Sequence, residues 1–202
     1  MIKVLLISSS LKNKGGITSV IKGYLAFPQK ELKFGHLSSH KDGGGLIKIL
    51  YFLRACFLLP IKLCFQKFNV VHIHVSERGS LWRKYYLYKI CRFFKKKVVL
   101  HHHGAEFLDW YRLLPIKKQK KVKWLLENVS TNVVLSKLLK TEYVQTFNIE
   151  NICVVYNGVL VPQSEAYKAE NRDIILFLGR IGKRKGAYDL LEAIKILKSF
   201  LS

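Results

Sequence analysis

Short apolar runs that alternate with longer stretches of helical length constrain this chain more than any other feature. "KVLLI", "NVVHIHV", "KVVLH", "TNVVLS", "NICVVYN" and "DIILFLG" are rich in Val and Ile and bounded by polar residues or glycine, the pattern of strands buried on both faces. Between and after them, helices are predicted over 17–27, 46–67, 81–96, 115–128, 137–146 and 187–200. Strand followed by helix, repeated, predicts an α/β fold with a parallel sheet covered on both faces. The segment 157–173, "NGVLVPQSEAYKAENRD", breaks the rhythm with Gly, Pro and mixed charge. It reads as a connection between domains, which puts one domain at 1–160, a linker at 161–173 and the opening βα unit of a second domain at 174–202.

Half of the 202 residues are hydrophobic, enough for a full core, and the formal net charge is +22, so an acidic or phosphorylated partner is expected. Residues 1–105 hold 19 Lys and Arg against three acids, Glu31, Asp42 and Glu77, and the remainder holds 16 against ten. A surface with the first half's excess is drawn to anionic lipid or nucleic acid. Cys56, Cys64, Cys91 and Cys153 form no CxxC pair and no regular framework, which favours free thiols in a reducing cytosol. Met1-Ile2-Lys3 leads into "VLLI", too short for a secretory core, so no signal peptide is expected.

Two helical segments raise the question of a membrane. Segment 46–67 is the more apolar, but Lys48, Arg54 and Lys62 interrupt it and Pro60 would kink it, short of the ~20 apolar residues of a span. In segment 81–97, Trp82, Tyr86, Leu87, Ile90, Phe93 and Phe94 share one arc of a helical wheel. Lys84, Lys89, Arg92, Lys95 and Lys96 share the opposite arc, with Arg83 the exception. A helix packed on a sheet with a solvated basic face explains this pattern. Contact of the five cations with anionic headgroups is the sharper reading.

The chemistry starts at "SSSLKNKGGITSVIKGYL". Gly15-Gly16 opens a helix after a first strand, where backbone N–H groups can face an anion, although the spacing is neither GxGxxG nor GxxxxGK[ST]. His72 and His74 lie on one side of a strand; His101 and His103 do the same at the carboxyl end of another, where open α/β sheets place ligands. Two His-x-His pairs can make a zinc site. No carboxylate or thiolate is spaced to join them, so hydrogen-bonded core histidines are expected instead, with His103 beside Gly104 available to a ligand. Near the end, Arg180 and Lys185 flank a helix start after "IILFLG" and offer a guanidinium fork and a point charge to phosphate.

Taken together, Gly15-Gly16, "HHHGAEF", "VVYNGV" and "FLGRIGKRKGAYDLLEAI" resemble the GT-B glycosyltransferases of family 4, also called glycosyl transferases group 1. The resemblance implies a Rossmann-like first domain on the acceptor side and the incomplete start of a second Rossmann-like domain that binds nucleotide sugar. It implies transfer of a sugar from a nucleotide diphosphate sugar with retention of configuration and no required metal or other cofactor. Gly15 and Gly16 would approach the donor phosphates or the acceptor, His103 would contact the transferred sugar, and Arg180 and Lys185 would hold the departing diphosphate. Family members continue for several further βα units, including an ExxxxxxxE motif, whereas this sequence stops at Ser202. The expectation is therefore the front half of an enzyme, inactive alone or completed by a second polypeptide.

A lipid-linked or cell-envelope glycan acceptor suits the basic, apolar first domain, as does a cytoplasmic location peripheral to the inner face of the cell membrane. The competing class is a basic nucleic-acid-binding or non-catalytic membrane-surface module. No RNP-like strand, zinc pattern or helix-turn-helix signal supports nucleic acid, so none is expected as a partner.

Overall fold

A computed structural model describes residues 1–27, 30–158, 174–179 and 181–201, and the chain divides into two compact units, Met1–Leu160 and Val161–Ser202. The first unit runs β1 (Ile2–Ser9), α1 (Gly16–Ala26), β2 (Leu32–His40), α2 (Gly45–Phe65), β3 (Val70–Val75), α3 (Gly79–Phe93), β4 (Lys97–His102), α4 (Phe107–Arg112), α5 (Ile116–Asn128), β5 (Thr131–Val134), α6 (Lys137–Phe147) and β6 (Ile152–Val154). All six strands are parallel, in the order β2-β1-β3-β4-β5-β6. This is the Rossmann-like α/β sheet predicted from the alternation.

Period-two alternation along the strands sorts the core. Leu5, Ile7, Val71, Ile73, Val75, Val98 and Leu100 face one side, where α2, α3, α5 and α6 contribute Leu59, Leu63, Leu81, Leu87, Leu125 and Phe147 to a single buried cluster. Val4 and Leu6 face the other side and pack on Ile21 of α1, with Ile17, Tyr24 and Phe34 around them. The chain leaves β1 towards β2 on one flank and reaches β3 on the other, so the crevice at the carboxyl ends of β1 and β3 is the switch point of the sheet.

Local chemistry sets several boundaries. Ser136 caps α6, its hydroxyl accepting from the Leu139 N–H at 3.1 Å, and Asn148 ends that helix with φ 53°, the left-handed stop that asparagine tolerates. Strand β2 had no clear sequence signal, because Leu32, Phe34 and Leu37 are out of step around Gly35. That glycine is required, since a Cβ there would lie 2.6 Å from Phe68 Cζ. The short α4 also escaped the periodic reading, which needs more than its six residues.

Helix α2 passes through Pro60, losing one rung of its ladder. Ala55, Leu59 and Leu63 are buried, whereas Leu46, Leu50, Leu53, Phe57 and Phe65 project outward, with Phe57 71% exposed. With Ile61, also exposed, the outward residues recur at spacings of three and four and so form one apolar ridge. Among the described residues no helix is long and apolar enough to cross a membrane.

In the second unit a 3₁₀ turn (Lys183–Lys185) leads into α7 (Ala187–Leu201). The strand expected at "DIILFLG" is not formed. Residues 174–178 carry no regular structure, and Ile174, Ile175, Leu176 and Leu178 are exposed. A parallel strand persists only when a neighbour completes its hydrogen bonds, and no other strand occurs among the described residues of this unit. The expected linker 161–173 lies outside the described residues.

The two faces of α2 give a direct test. Leu59→Ala should destabilise by about 2–5 kcal/mol, as a buried leucine truncation does, whereas Phe57→Ser should leave the melting temperature nearly unchanged. Equal losses in the two variants would show that the helix is oriented otherwise.

Candidate functional site: a basic cleft at the carboxyl edge of the sheet

A cleft of about 450 Å³ opens at the switch point. Its walls come from the end of β1 and the following loop (Ser9, Asn13, Lys14, Gly15, Gly16), the end of β2 (His40, Asp42), and the β3–α3 corner (Ser76, Glu77, Gly79, Ser80, Arg83, Lys84). Asn13 Oδ1 accepts from the Asp42 N–H at 3.1 Å, which ties the glycine loop to the β2 end. Adding a Cβ at Gly15 or Gly16 would meet nothing within 4 Å. These glycines therefore serve no packing need of the chain itself, and they leave backbone accessible from the cleft.

Two helices begin at this cleft without caps. Neither α1 nor α3 has a side-chain cap or an acid in its first turn, so their first N–H groups and the positive ends of both dipoles are uncompensated. Arg78, at the start of α3, adopts φ 58°, uncommon for a residue with a side chain.

The charges point the same way. Lys14, Lys48, Arg83 and Lys84 line the cleft against Asp42 and Glu77. Lys84 is buried, 1% exposed. Burial first, and then the charge of Arg83, lower its pKa to about 7. His40 is lowered to about 3, by burial and then by Lys84, Arg83 and Lys48. Among the described residues, His40 Nδ1, His74 Nε2, Glu77 Oε2 and Arg83 Nε are buried with no hydrogen-bond partner. Buried polar atoms are normally paired, so four such atoms around one cleft make it the candidate binding site of this unit. Glu77 is seated against Gly104, where any Cβ would overlap its carboxylate.

Beside the cleft, the register that pairs His74 with His101 assembles four imidazoles. His72 Nε2 lies 3.2 Å from His101 Nδ1 and His74 Nδ1 lies 2.9 Å from His103 Nε2. The ring centroids of His72 and His74, and of His101 and His103, are 4.3 Å apart. Burial and the neighbouring imidazoles lower His72 and His103 to about 3, and burial lowers His101 to about 4, so the cluster is neutral at pH 7.

Of the residues singled out in the sequence, Gly15, Gly16 and Lys84 meet in the cleft. His103 stands one strand away, its backbone N–H donating to Val75 O at 2.8 Å and its ring joined to His74, which lines the cleft. Lys185 is exposed in the second unit, and Arg180 lies outside the described residues. The grouping of Lys84 with the outer cations of α3 is corrected. The helix buries Leu81, Lys84, Tyr85, Leu87, Tyr88 and Cys91, a stripe rotated from the arc drawn on the wheel, because α3 packs against β3, β4 and the neighbouring α2 with Tyr86 and Phe93 outside. Lys89 and Lys95 remain exposed. Arg92, also exposed, donates to Asn128 Oδ1 at 2.7 Å and stacks on Trp124, and Lys96 donates to Phe68 O at 3.2 Å. Sequence reasoning missed Lys14, His40, Lys48, Glu77 and Arg83. Only "SERGS" after β3, a second glycine and serine helix start, hinted at this corner.

An all-parallel sheet with a cleft rich in basic residues at its switch point defines a Rossmann-like α/β domain. The chain belongs to Glycosyltransferase Family 4, whose family description matches residues 33–161. That span includes Lys84 and His103 and excludes Gly15, Gly16, Arg180 and Lys185. The chain is also 29% identical over 162 residues to an "uncharacterized 41.2 kDa protein in cps region" of Klebsiella pneumoniae, an alignment covering 71% of this chain and 44% of that protein. It thus spans less than half of this relative's length.

Lys84 supplies a pH test. Its folded pKa of about 7 lies below the usual 10.5, so between those values the unfolded chain binds the extra proton and stability rises with pH. Lys84→Met should raise the melting temperature most at pH 7 and below, and the gain should shrink towards pH 10.5 at roughly 1.4 kcal/mol per pH unit. Taking the difference between the two proteins cancels the opposite contributions of Cys91 and Tyr143. A pH-independent difference would mean that the ammonium is solvated.

Proposed function

We propose that this chain is the acceptor-side domain, with the start of the donor-side domain, of a retaining glycosyltransferase that takes its sugar from a nucleotide diphosphate sugar. The observation that carries the reading is Lys84, a buried cation with no ion pair among the described residues, lining the cleft at which two uncapped helices start. An unpaired buried charge is costly, and a ligand phosphate at that point would offset the cost. Gly15 and Gly16 would let phosphate oxygens approach the backbone, His103 would contact the transferred sugar, and Arg180 and Lys185 would hold the leaving diphosphate. Negative charge grows on that group at the transition state, and fixed cations aimed at it lower the barrier; the transfer needs no metal in this reading.

The relative's place in a cps, or capsule, region supports an envelope-glycan or lipid-linked acceptor in polysaccharide biosynthesis. It also favours work at the cytoplasmic face of the membrane. There the apolar ridge of α2 would enter the headgroup boundary, with Lys48, Lys62, Lys89 and Lys95 drawn to anionic lipid.

Calorimetry with inorganic pyrophosphate, UDP and GDP tests the cleft. Binding should weaken at least ten-fold in Lys84→Met and Arg83→Gln; unchanged affinity in both folded variants would refute the anion role. In the enzyme carrying this domain, His103→Ala should lower acceptor-dependent release of nucleoside diphosphate by ~10²-fold, the scale of a lost transition-state contact. Wild-type kcat in that variant would remove His103 from the site.

Vesicle flotation tests the membrane reading. Leu50→Ser with Phe57→Ser should abolish binding to anionic vesicles, and Lys89→Gln with Lys95→Gln should weaken it by about 1 kcal/mol per charge at low salt. Preference for single-stranded RNA over vesicles in a salt titration would instead support the nucleic-acid class.

A further inference from the structure

We propose that His72, His74 and His101 form a binding site for a transition-metal ion of the zinc class, clamping β3 to β4 beneath Tyr24. One ring nitrogen from each of the three lies within 4.8 Å of the others. Zinc holds imidazole nitrogens at ~2.0–2.1 Å in a tetrahedral array. Those nitrogens would then sit about 3.3 Å apart, and side-chain rotations that move each by less than roughly 1 Å close the gap.

The hydrogen bonds prepare the ligands. When His74 donates its Nδ1–H to His103 and His101 donates its Nδ1–H to His72, both Nε2 atoms keep their lone pairs. Both Nε2 atoms are buried without a partner among the described residues. A ligating histidine normally gives its second N–H to a neighbour in this way. Binding through His72 breaks its bond with His101, so of the two bonds only that of His74 to His103 persists beside the ion, and water fills the fourth position. An all-imidazole set suits zinc, copper, nickel or cobalt and rejects magnesium and calcium.

This assembly was discounted from sequence because neither His-x-His pair has a carboxylate or thiolate spaced to join it. The missing partner is the other pair, brought alongside by the register of β3 on β4. The site does not depend on the transferase reading, in which the cleft's own cations face the diphosphate. It does border that cleft, and the charge of Lys84 acts on His74. Removing that charge should therefore favour the ion.

The test uses the tag-free chain stripped with EDTA, with zinc affinity read by competition with a chromophoric chelator and cobalt by visible absorption. One zinc per chain should bind in the micromolar range or tighter, cobalt should give tetrahedral ligand-field bands, and zinc should raise the melting temperature. His74→Gln and His101→Gln should each weaken binding at least ten-fold, as loss of even an outer partner does in known sites. Lys84→Met should tighten it, and the remote His36→Gln should leave it unchanged. If circular dichroism shows that either cluster variant fails to fold, His72→Gln, at a less buried position, carries the same expectation. Absence of zinc binding at 1:1 stoichiometry would overturn the proposal. So would unchanged affinity in the folded His72, His74 and His101 variants, which would locate the ion elsewhere, for instance at the exposed thiol of Cys64.

Discussion

The parallel hydrogen-bond ladder is the constraint from which the rest of this structure follows. With six strands running one way, every strand delivers its carboxyl end to the same edge, and every following helix starts there. That edge collects uncapped N–H groups and helix dipoles of one sign, and it would repel cations unless something else were gained. Here it nevertheless carries Lys14, Lys48, Arg83 and Lys84. The topology sets this crevice where β2 and β3 flank β1 on opposite sides, and in the proposed function an anionic ligand would meet these cations there.

The same ladder explains which features were readable in the sequence. Strands rich in Val, Ile and Leu announce themselves as short apolar runs, so β1, β3, β4, β5 and even the edge strand β6 were visible. Edge strand β2 was not, since polar and small residues interrupt its alternation. "DIILFLG" shows the converse. Its apolar run is a strand signal, yet pairing is a property of two segments, and the described part of the second unit has no partner to give. Helix boundaries came within a few residues wherever serine, glycine or asparagine set the ends.

The candidate site was legible only in part, for a different reason. A wheel places residues around a helix but not the helix on a sheet, so Lys84 was assigned to the solvated arc. The fold instead turns the stripe Leu81, Lys84, Tyr85, Tyr88 and Cys91 inward. Gly15 and Gly16 were visible because glycine pairs after a strand are chemically specific. Lys48, Glu77 and Arg83 are ordinary charged residues until three-dimensional neighbours make them unusual, and no spacing rule carries that information.

Adjacent residues in β4 separate the structural role of buried histidine from the other kind. His102 is as buried as His101, and it faces the large core. There Asn132 Oδ1 lies 3.3 Å from its Nε2 and the Tyr143 hydroxyl 3.2 Å from its Nδ1. Both nitrogens are satisfied, and Phe107 and Tyr143 pack on the ring. This is what a core histidine looks like when its only task is to fit. His101, one residue earlier and on the opposite face, has one nitrogen unpaired, as does His74 beside it in the sheet. The sheet thus has one face on which a buried imidazole is fully matched and one on which neighbouring imidazoles leave bonds open. Apolar packing on the first face offsets the cost of the second, and the open bonds converge on the end of the sheet where the cleft lies.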